Sequence, residues 1–268
     1  MCAMKAWLLC ALAVTFASHA AANAQTFPII DVQHGYLIGA VQSGKWREPT
    51  DVVNSVKPGG KLPVYGVMGK IGSIEALKVD TANEACPDRA IVKLKPRKLK
   101  SGGVAFSAKW NPLPRKIQAV DANQKQHVDV VRDFLLRRGL IDPVVGISQI
   151  ARVDLDGDGQ DEFVISATHY KNGTEIPDEP TANTYSCVIV ERTLKGKATA
   201  ELVDGEFYPK AKADAAPNKF EIAALLDLNG DGKIDIVLRS AYYEGDEISV
   251  YEFGSAAAKK VLSVGCGL

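Results

Sequence analysis

Short apolar runs separated by turn residues dominate this chain from residue 25 onwards, and their pattern predicts β-strands. In one run, Lys93 and Lys95 alternate with Val92 and Leu94, which is the two-residue period of a half-buried strand. Runs of this kind in the first half of the chain lie at 36–41, 62–67 and 89–95. The N-terminal part is therefore predicted to be rich in strands and turns.

The second half of the chain contains eight further strand-like runs that fall into two groups of four. They lie at 146–153, 163–167, 185–191 and 198–203, and then at 220–226, 236–240, 248–253 and 260–264. The second group begins about seventy residues after the first. Four short strands per repeat are typical of a propeller blade. Two repeats are too few to close a propeller.

One segment has the period of a helix instead of a strand. Val128, Val131 and Leu135 form an apolar stripe within residues 121–138, where Asp121 is a candidate N-cap. Gly139 follows directly and is a common helix terminator. The predicted fold is mainly β, with this one clear helix joining the N-terminal region to the two repeats.

Each repeat carries an acidic loop between its first and second strands. The loops begin at Asp154 and Asp227, seventy-three residues apart, and both fit D-x-[DN]-x-D-G-x-x-[DE]. Oxygen side chains at positions 1, 3, 5 and 9 and a backbone carbonyl at position 7 suit Ca²⁺, which takes six to eight oxygen ligands. Asp and Gly also dominate ordinary turns, so plain turns are the alternative. An EF-hand does not fit, because its position-12 glutamate is replaced by Ile165 and Leu238.

The succession of strand, acidic loop and strand resembles the FG-GAP and VCBS-type calcium repeats of integrin-like β-propellers and exported bacterial proteins. The resemblance covers residues 146–268. It implies two calcium sites. The ligands that it implies are Asp154, Asp156, Asp158, Glu162 and the Gln160 carbonyl at the first site, and Asp227, Asn229, Asp231, Asp235 and the Lys233 carbonyl at the second.

Charge is distributed unevenly although the whole chain is formally neutral. Residues 25–120 carry a net charge of +8 and residues 121–268 a net charge of −9. This shift favours two regions, a basic β-rich region at 25–117 and a region at 118–268 that contains the helix and both repeats. The nine basic residues between Arg89 and Lys116 could bind an anionic polymer. The alternative is a solvated strand pair or a surface that complements the acidic half.

Residues 1–24 have the pattern of a cleavable export signal. Lys5 precedes an apolar run from Ala6 to about Ala20, and Ala22-Asn23-Ala24 is a small-residue cleavage site. We therefore expect cleavage after Ala24 and a location in the periplasm or outside the cell. No later segment is long and apolar enough to span a bilayer.

Three cysteines follow the export signal. Export exposes thiols to oxidising conditions, in which one disulfide among three cysteines is expected. Cys86 and Cys266 lie in turn-like contexts and are the preferred pair, whereas Cys187 lies within a strand and is expected to be a buried thiol. The sequence alone does not fix this connectivity.

No zinc-protease motif, nucleophile elbow or other catalytic constellation is present in the sequence. The near-match to a nucleotide-binding loop at 39–46 has Trp46 in place of the required hydroxyl, so no nucleotide is predicted. The sequence favours a binding or scaffold module with structural calcium, whose partner is a protein or an anionic polysaccharide. The alternatives are a calcium-dependent hydrolase of polysaccharides or phosphoesters, and an anionic-polymer binder acting through residues 89–116.

Overall fold

The computed structural model of the protein describes residues 25–82, 86, 89–95, 102–194, 196–254 and 257–267. Within these ranges, sixteen strands form three antiparallel sheets, accompanied by two α-helices and a short 3₁₀ helix. The predicted export signal at 1–24 lies outside the described residues. Among the helices of the described part, none is long and apolar enough to cross a membrane.

The N-terminal region forms a curled sheet of seven strands. Tyr36, at the turn between the first two strands, forms a β-bridge with Ile91 in the strand at the far edge of the sheet. Next to it, the Leu37 N–H donates to the Ala90 carbonyl at 2.9 Å. A short helix, α1 (Pro49–Val52), and the 3₁₀ helix Val53–Ser55 follow the third strand. In spatial order the strands are β3 (Lys45–Arg47), β2 (Leu37–Gln42), β1 (Thr26–Asp31), β7 (Val104–Ala105), β4 (Lys61–Gly66), β5 (Gly69–Asp80) and β6 (Ile91–Lys95).

The two repeats are antiparallel meanders in which each strand pairs with the next along the chain. A two-residue strand, β8 (Gln118–Ala119), extends the first repeat at its β9 edge. The strands of the first repeat are β9 (Ile147–Val153), β10 (Glu162–His169), β11 (Thr184–Leu194) and β12 (Lys197–Tyr208). Those of the second are β13 (Lys219–Leu226), β14 (Asp235–Tyr242), β15 (Gly245–Glu252) and β16 (Lys259–Gly267). The acidic loops are the β9–β10 and β13–β14 connections.

The three sheets stack face to face, with the second repeat in the middle. Val164 and Val190 of the first repeat share a buried cluster with Ile236 of the second. The opposite face of the second repeat shares another cluster with the N-terminal sheet, in which Ile38 and Val250 are both fully buried. The predicted mainly-β class is confirmed, and the described residues form three antiparallel sheets without a closed propeller.

The predicted helix is present as α2 (Lys125–Arg137), but it begins later than the sequence indicates. Asp121 is not its N-cap, because the Asp121 carboxylate accepts the Asn123 N–H at 2.9 Å and closes a turn before the helix. Gln124 occupies the cap position without a side-chain hydrogen bond. Gly139 ends the helix as predicted, in the left-handed conformation with φ +85°.

Helix α2 covers the outer face of the first repeat. Val131 and Leu135 lie in one buried cluster with Ile165 of that sheet. His127 of this helix is fully buried, and its Nδ1 lies 2.8 Å from the Glu191 carboxylate. The pairing with an acidic strand residue far along the chain explains the burial of a polar ring.

The structure joins Cys86 and Cys266 in a disulfide, with their Cα atoms 5.9 Å apart. The bond ties the connection between β5 and β6 to β16, at the other end of the chain. Cys187 is a free cysteine and is fully buried in β11. Burial raises the pKa of its thiol to about 12, so it is an unreactive core residue.

The Gln149 side chain joins the two repeats by imitating a strand partner. Ile222 lies in β13, the edge strand of its sheet. Its N–H donates to the Gln149 amide oxygen at 2.7 Å, and its carbonyl accepts from the amide nitrogen at 3.0 Å. We expect Gln149→Ala to lower the free energy of unfolding by about 1–2 kcal/mol, because it leaves both backbone groups without partners. Urea unfolding measures this loss. Gln118→Ala, at an exposed strand position, is the control, and an equal loss there would contradict the expectation.

Candidate metal centre

The aspartate at position 1 folds each acidic loop around its own carboxylate. Asp154 accepts the N–H groups of Gly157 and Gly159 at 2.7 and 3.1 Å. Asp227 accepts the two corresponding N–H groups at 2.7 and 3.0 Å. All four donor glycines have φ between +79° and +86°, the left-handed region that favours glycine. The two loops therefore share one backbone conformation.

Positions 3, 5 and 7 continue the same hydrogen-bonding pattern in both loops. The position-5 N–H donates to the position-3 side chain at 3.2 Å in the first loop and 3.0 Å in the second. The position-7 N–H donates to the position-5 carboxylate at 2.7 and 2.8 Å. The residues are Asp156, Asp158 and Gln160 in the first loop, and Asn229, Asp231 and Lys233 in the second. The role of the position-7 carbonyls as ligands stays a prediction.

The acidic residue at position 9 closes each loop from within the protein. Glu162 and Asp235 are only 5% and 2% exposed. Each accepts one backbone N–H of position 2, from Leu155 at 2.8 Å and from Leu228 at 3.0 Å. Both leucines are fully buried and anchor the loops in the core. A carboxylate at this depth is costly unless it is paired with a cation or protonated.

Carboxylate oxygens converge most closely in the first loop. Ligand atoms of Asp154, Asp156 and Glu162 lie within 4.8 Å of one another, and no other group of three acidic, histidine or cysteine side chains in the described ranges is as close. Burial, with the neighbouring aspartates, raises the pKa of Glu162 to about 7. A divalent cation at this position would remove the repulsion and hold the charged form, so the residues present fit the predicted group.

The second loop has the same electrostatic character. Burial raises the pKa of Asp227. The pKa of Asp235 is raised well above its ordinary value, first by burial and then by the charges of Asp231, Asp227 and Glu252. Glu252 is the last residue of β15 and lies outside the loop motif. Its carboxylate brings the acidic groups near this loop to four, although Asn229 takes the place of an aspartate.

Arg115 binds both loops from the segment that follows the N-terminal sheet. Its guanidinium donates to the carbonyl oxygens of Asp154 at 2.5 Å, of Leu155 at 3.1 Å and of Gly232 at 2.6 Å. The Ile234 N–H also donates directly to the Leu155 carbonyl at 2.8 Å. The two loops are therefore neighbours, and one cationic side chain fixes their relative position.

Two tryptophans lie against the second loop. The Trp110 indole N–H donates to the Asp227 carbonyl at 2.9 Å, and its ring lies next to Gly230. The Trp46 indole N–H donates to the Glu252 carboxylate at 2.6 Å. Ser43 and Gly44 form the turn between β2 and β3 and bring Trp46 to this place. The N-terminal sheet therefore reaches the second loop through Glu252, whose carboxylate lies 3.4 Å from the Asn229 amide nitrogen.

Sequence reasoning missed the four residues that surround the loops: Trp46, Trp110, Arg115 and Glu252. No local signal marks them as loop partners. Arg115 and Trp110 lie within the basic stretch, and Trp46 lies at the end of the glycine-containing turn at 39–46. Their role depends on contacts between residues that are distant in the sequence.

Several residues of the basic stretch have internal partners. Lys93 and Lys95 pair across neighbouring strands with Asp80 and Glu75, each at 3.4 Å. Arg115 is bound to the loops, while residues 96–101 lie outside the described residues. The partners of Lys93 and Lys95 suit the solvated strand pair that the alternation indicates.

A polar cleft away from the loops also contains carboxylates. Lys260 lies between Asp204 and Glu247, with its Nζ 3.5 Å and 2.9 Å from their oxygens. Burial alone would raise the pKa of Glu247, but hydrogen bonds from Ser249 and Lys260 lower it. A general acid of the glycosidase type needs a raised pKa. This carboxylate pair therefore gives no support to a hydrolase.

No family model, no curated protein and no solved structure matches this chain. The resemblance to FG-GAP and VCBS-type repeats, based on the loop motif and its flanking strands, therefore stays a prediction. Arguments about function rest on the geometry of the two loops and their surroundings.

Proposed function

We propose that this is an exported calcium-binding β-repeat protein that acts as a binding or scaffold module, with one structural Ca²⁺ in each acidic loop. The observation that carries the proposal is the convergence of Asp154, Asp156 and buried Glu162 in the first loop. The second loop repeats the same hydrogen-bonding pattern around Asp227 and Asp235. Oxygen-only donors favour a hard cation.

The proposed role of the ions is structural because of what surrounds the loops. Leu155 and Leu228 anchor the loops in the core, and Arg115 links one loop to the other. Trp46 extends this contact to the N-terminal sheet. A cation that neutralises the carboxylates would stabilise the junction of all three sheets and fix the surface that they form. The proposed partner of that surface is a protein or an anionic polysaccharide.

Tryptophan fluorescence tests the assignment of the second loop. In residues 25–268 the two tryptophans are Trp46 and Trp110. Trp110 contacts Asp227 of that loop, and Trp46 contacts Glu252 beside it. We expect calcium to change the emission with a midpoint of about 10⁻⁴–10⁻³ M, as in extracellular modules. Asp231→Ala should abolish this change, whereas Asp158→Ala, in the first loop, should preserve it.

Magnesium at the same concentrations is the ionic control, and it should cause a smaller change because it demands a more regular octahedral site. A calcium response that is unaffected by both substitutions would overturn the site assignment. A response that is lost in Asp158→Ala but kept in Asp231→Ala would show that the fluorescence change comes from the first loop. That result would contradict the assignment of the signal to the second loop.

A further inference from the structure

The second loop has an asparagine at the position where the first loop has an aspartate. Asn229 and Asp156 are both position-3 residues. The amide lacks the negative charge and has only one oxygen, so its orientation decides whether an acceptor or a donor faces a cation. An aspartate has no such requirement, because both of its oxygens are acceptors. The second loop therefore needs an orienting partner that the first does not.

Glu252 is placed to orient this amide. Asn229 Nδ2 lies 3.4 Å from Glu252 Oε1 and 3.2 Å from Asp231 Oδ2, while Asn229 Oδ1 accepts the Asp231 N–H at 3.0 Å. The amide nitrogen thus faces two carboxylates. The opposite orientation would set the amide oxygen against the same two carboxylates and would be repulsive.

Glu252 is itself held in place by a donor from another sheet. The Trp46 indole donates to Glu252 Oε1 at 2.6 Å, and Trp46 packs against the core shared by the N-terminal sheet and the second repeat. An indole N–H can only donate, so it favours a carboxylate at this position. The side chain is half-buried, which makes the interaction stronger than at an exposed site.

The first repeat provides an internal comparison. Phe163 pairs with Glu191 as Ile236 pairs with Tyr251, so Arg192 holds the position in the first repeat that Glu252 holds in the second. Arg192 is engaged by Glu201 on the neighbouring strand. The acidic residue therefore occurs in the repeat whose position-3 side chain is uncharged.

We propose that Glu252 is a positioning residue of the second cation loop, which turns the Asn229 amide oxygen towards the ion and supplies the negative charge that Asn229 lacks. This inference rests on the proposed calcium function. It adds a residue outside the loop motif to the second site, and it makes the affinity of that site depend on the N-terminal sheet through Trp46.

Calorimetric titration of residues 25–268 with calcium chloride tests the inference. The parent carries Asp158→Ala, which disables the first loop so that a single site is measured. In this parent we expect Glu252→Gln to weaken binding about tenfold, within the usual effect of residues that orient metal ligands. Glu247→Gln, on the same strand but in the polar cleft, is the matched control and should bind as the parent does.

The role in orientation is tested by adding Asn229→Asp. An aspartate at position 3 needs no orientation, so Glu252→Gln should then cost about threefold or less, and the two substitutions should be non-additive. Trp46→Phe keeps the carboxylate and its charge but releases its position. Trp46→Phe should weaken calcium binding less than Glu252→Gln does, and only when residue 229 is asparagine. This variant still tests the proposal if Glu252→Gln does not fold.

The possible failures are distinguishable. A parent that shows no heat of calcium binding would overturn the proposed function and this inference together. A parent that binds calcium while Glu252→Gln binds equally well would overturn only the role of Glu252. If Glu252→Gln weakened calcium binding equally with and without Asn229→Asp, Glu252 would act only through its charge. That result would contradict its role in orienting the amide.

Discussion

Calcium is expected to raise the midpoint of thermal unfolding of residues 25–268 by about 10–20 °C. An ion that binds the folded state alone stabilises it by an amount set by the ratio of its concentration to its dissociation constant. At about 10 mM free calcium and a dissociation constant of about 10⁻⁴ M, each site adds about 2.7 kcal/mol to the free energy of unfolding. Two sites together add about 5 kcal/mol.

Variants locate the source of this stabilisation. Asp158→Ala and Asp231→Ala should each remove about half of the calcium-dependent rise, and the double variant should remove nearly all of it. Asp161→Ala is the matched control, because Asp161 lies in the first loop at position 8 and pairs with Arg152 at 2.5 Å. The calcium-dependent rise in the unfolding midpoint of Asp161→Ala should equal that of the unmodified protein.

Calorimetric or fluorescence melting curves with excess chelator and with calcium supply the measurement. An unchanged midpoint on addition of calcium would mean that the loops are turns without an ion. An undiminished rise in the double variant would place the ion elsewhere. An equal rise with magnesium would contradict the choice of calcium.

Replacement of Arg115 by alanine is the second change with a large expected effect. Its guanidinium donates hydrogen bonds to carbonyl groups of both loops, including those of Leu155 and Gly232. Hydrogen bonds from charged donors contribute about 1.5–3 kcal/mol each, and water replaces them in part. We expect Arg115→Ala to lower the free energy of unfolding by about 2–4 kcal/mol, which urea unfolding in chelator measures without any contribution from the ion.

Two further variants separate geometry from charge. Arg115→Lys keeps the charge but replaces a planar fork by a single ammonium group, so it should recover less than half of the loss. Lys116→Ala removes the neighbouring exposed charge and should change stability by about 0.5 kcal/mol or less. A full recovery in Arg115→Lys, or an equal loss in Lys116→Ala, would contradict the role given to the guanidinium.

The strands of both repeats follow from local pattern, because a short apolar run rich in β-branched residues is visible within five or six residues. The run at 236–240, for example, lies within β14 (Asp235–Tyr242). Less regular strands were missed. The longest of them, β5 (Gly69–Asp80), begins with glycine and mixes lysines with apolar residues. Its strand state depends on pairing with β4 and β6, which no local window contains.

The sequence by itself determined the internal framework of the candidate site. From Asp154 to Glu162 the loop spans nine residues, and its hydrogen bonds join groups at most seven residues apart, so the spacing of oxygens and glycines is sufficient to specify it. The same holds seventy-three residues later. The two loops therefore adopt the same conformation at two different places in the chain.

Only the tertiary structure decided that the two loops are neighbours and what surrounds them. Arg115 reaches Gly232, Trp46 reaches Glu252, and His127 is buried against Glu191, each across a long stretch of sequence. These contacts arise from the stacking of three sheets, which is set by complementary apolar faces. The polar residues that meet there carry no local pattern of their own, since burial and neighbours assign their roles only after the sheets have packed.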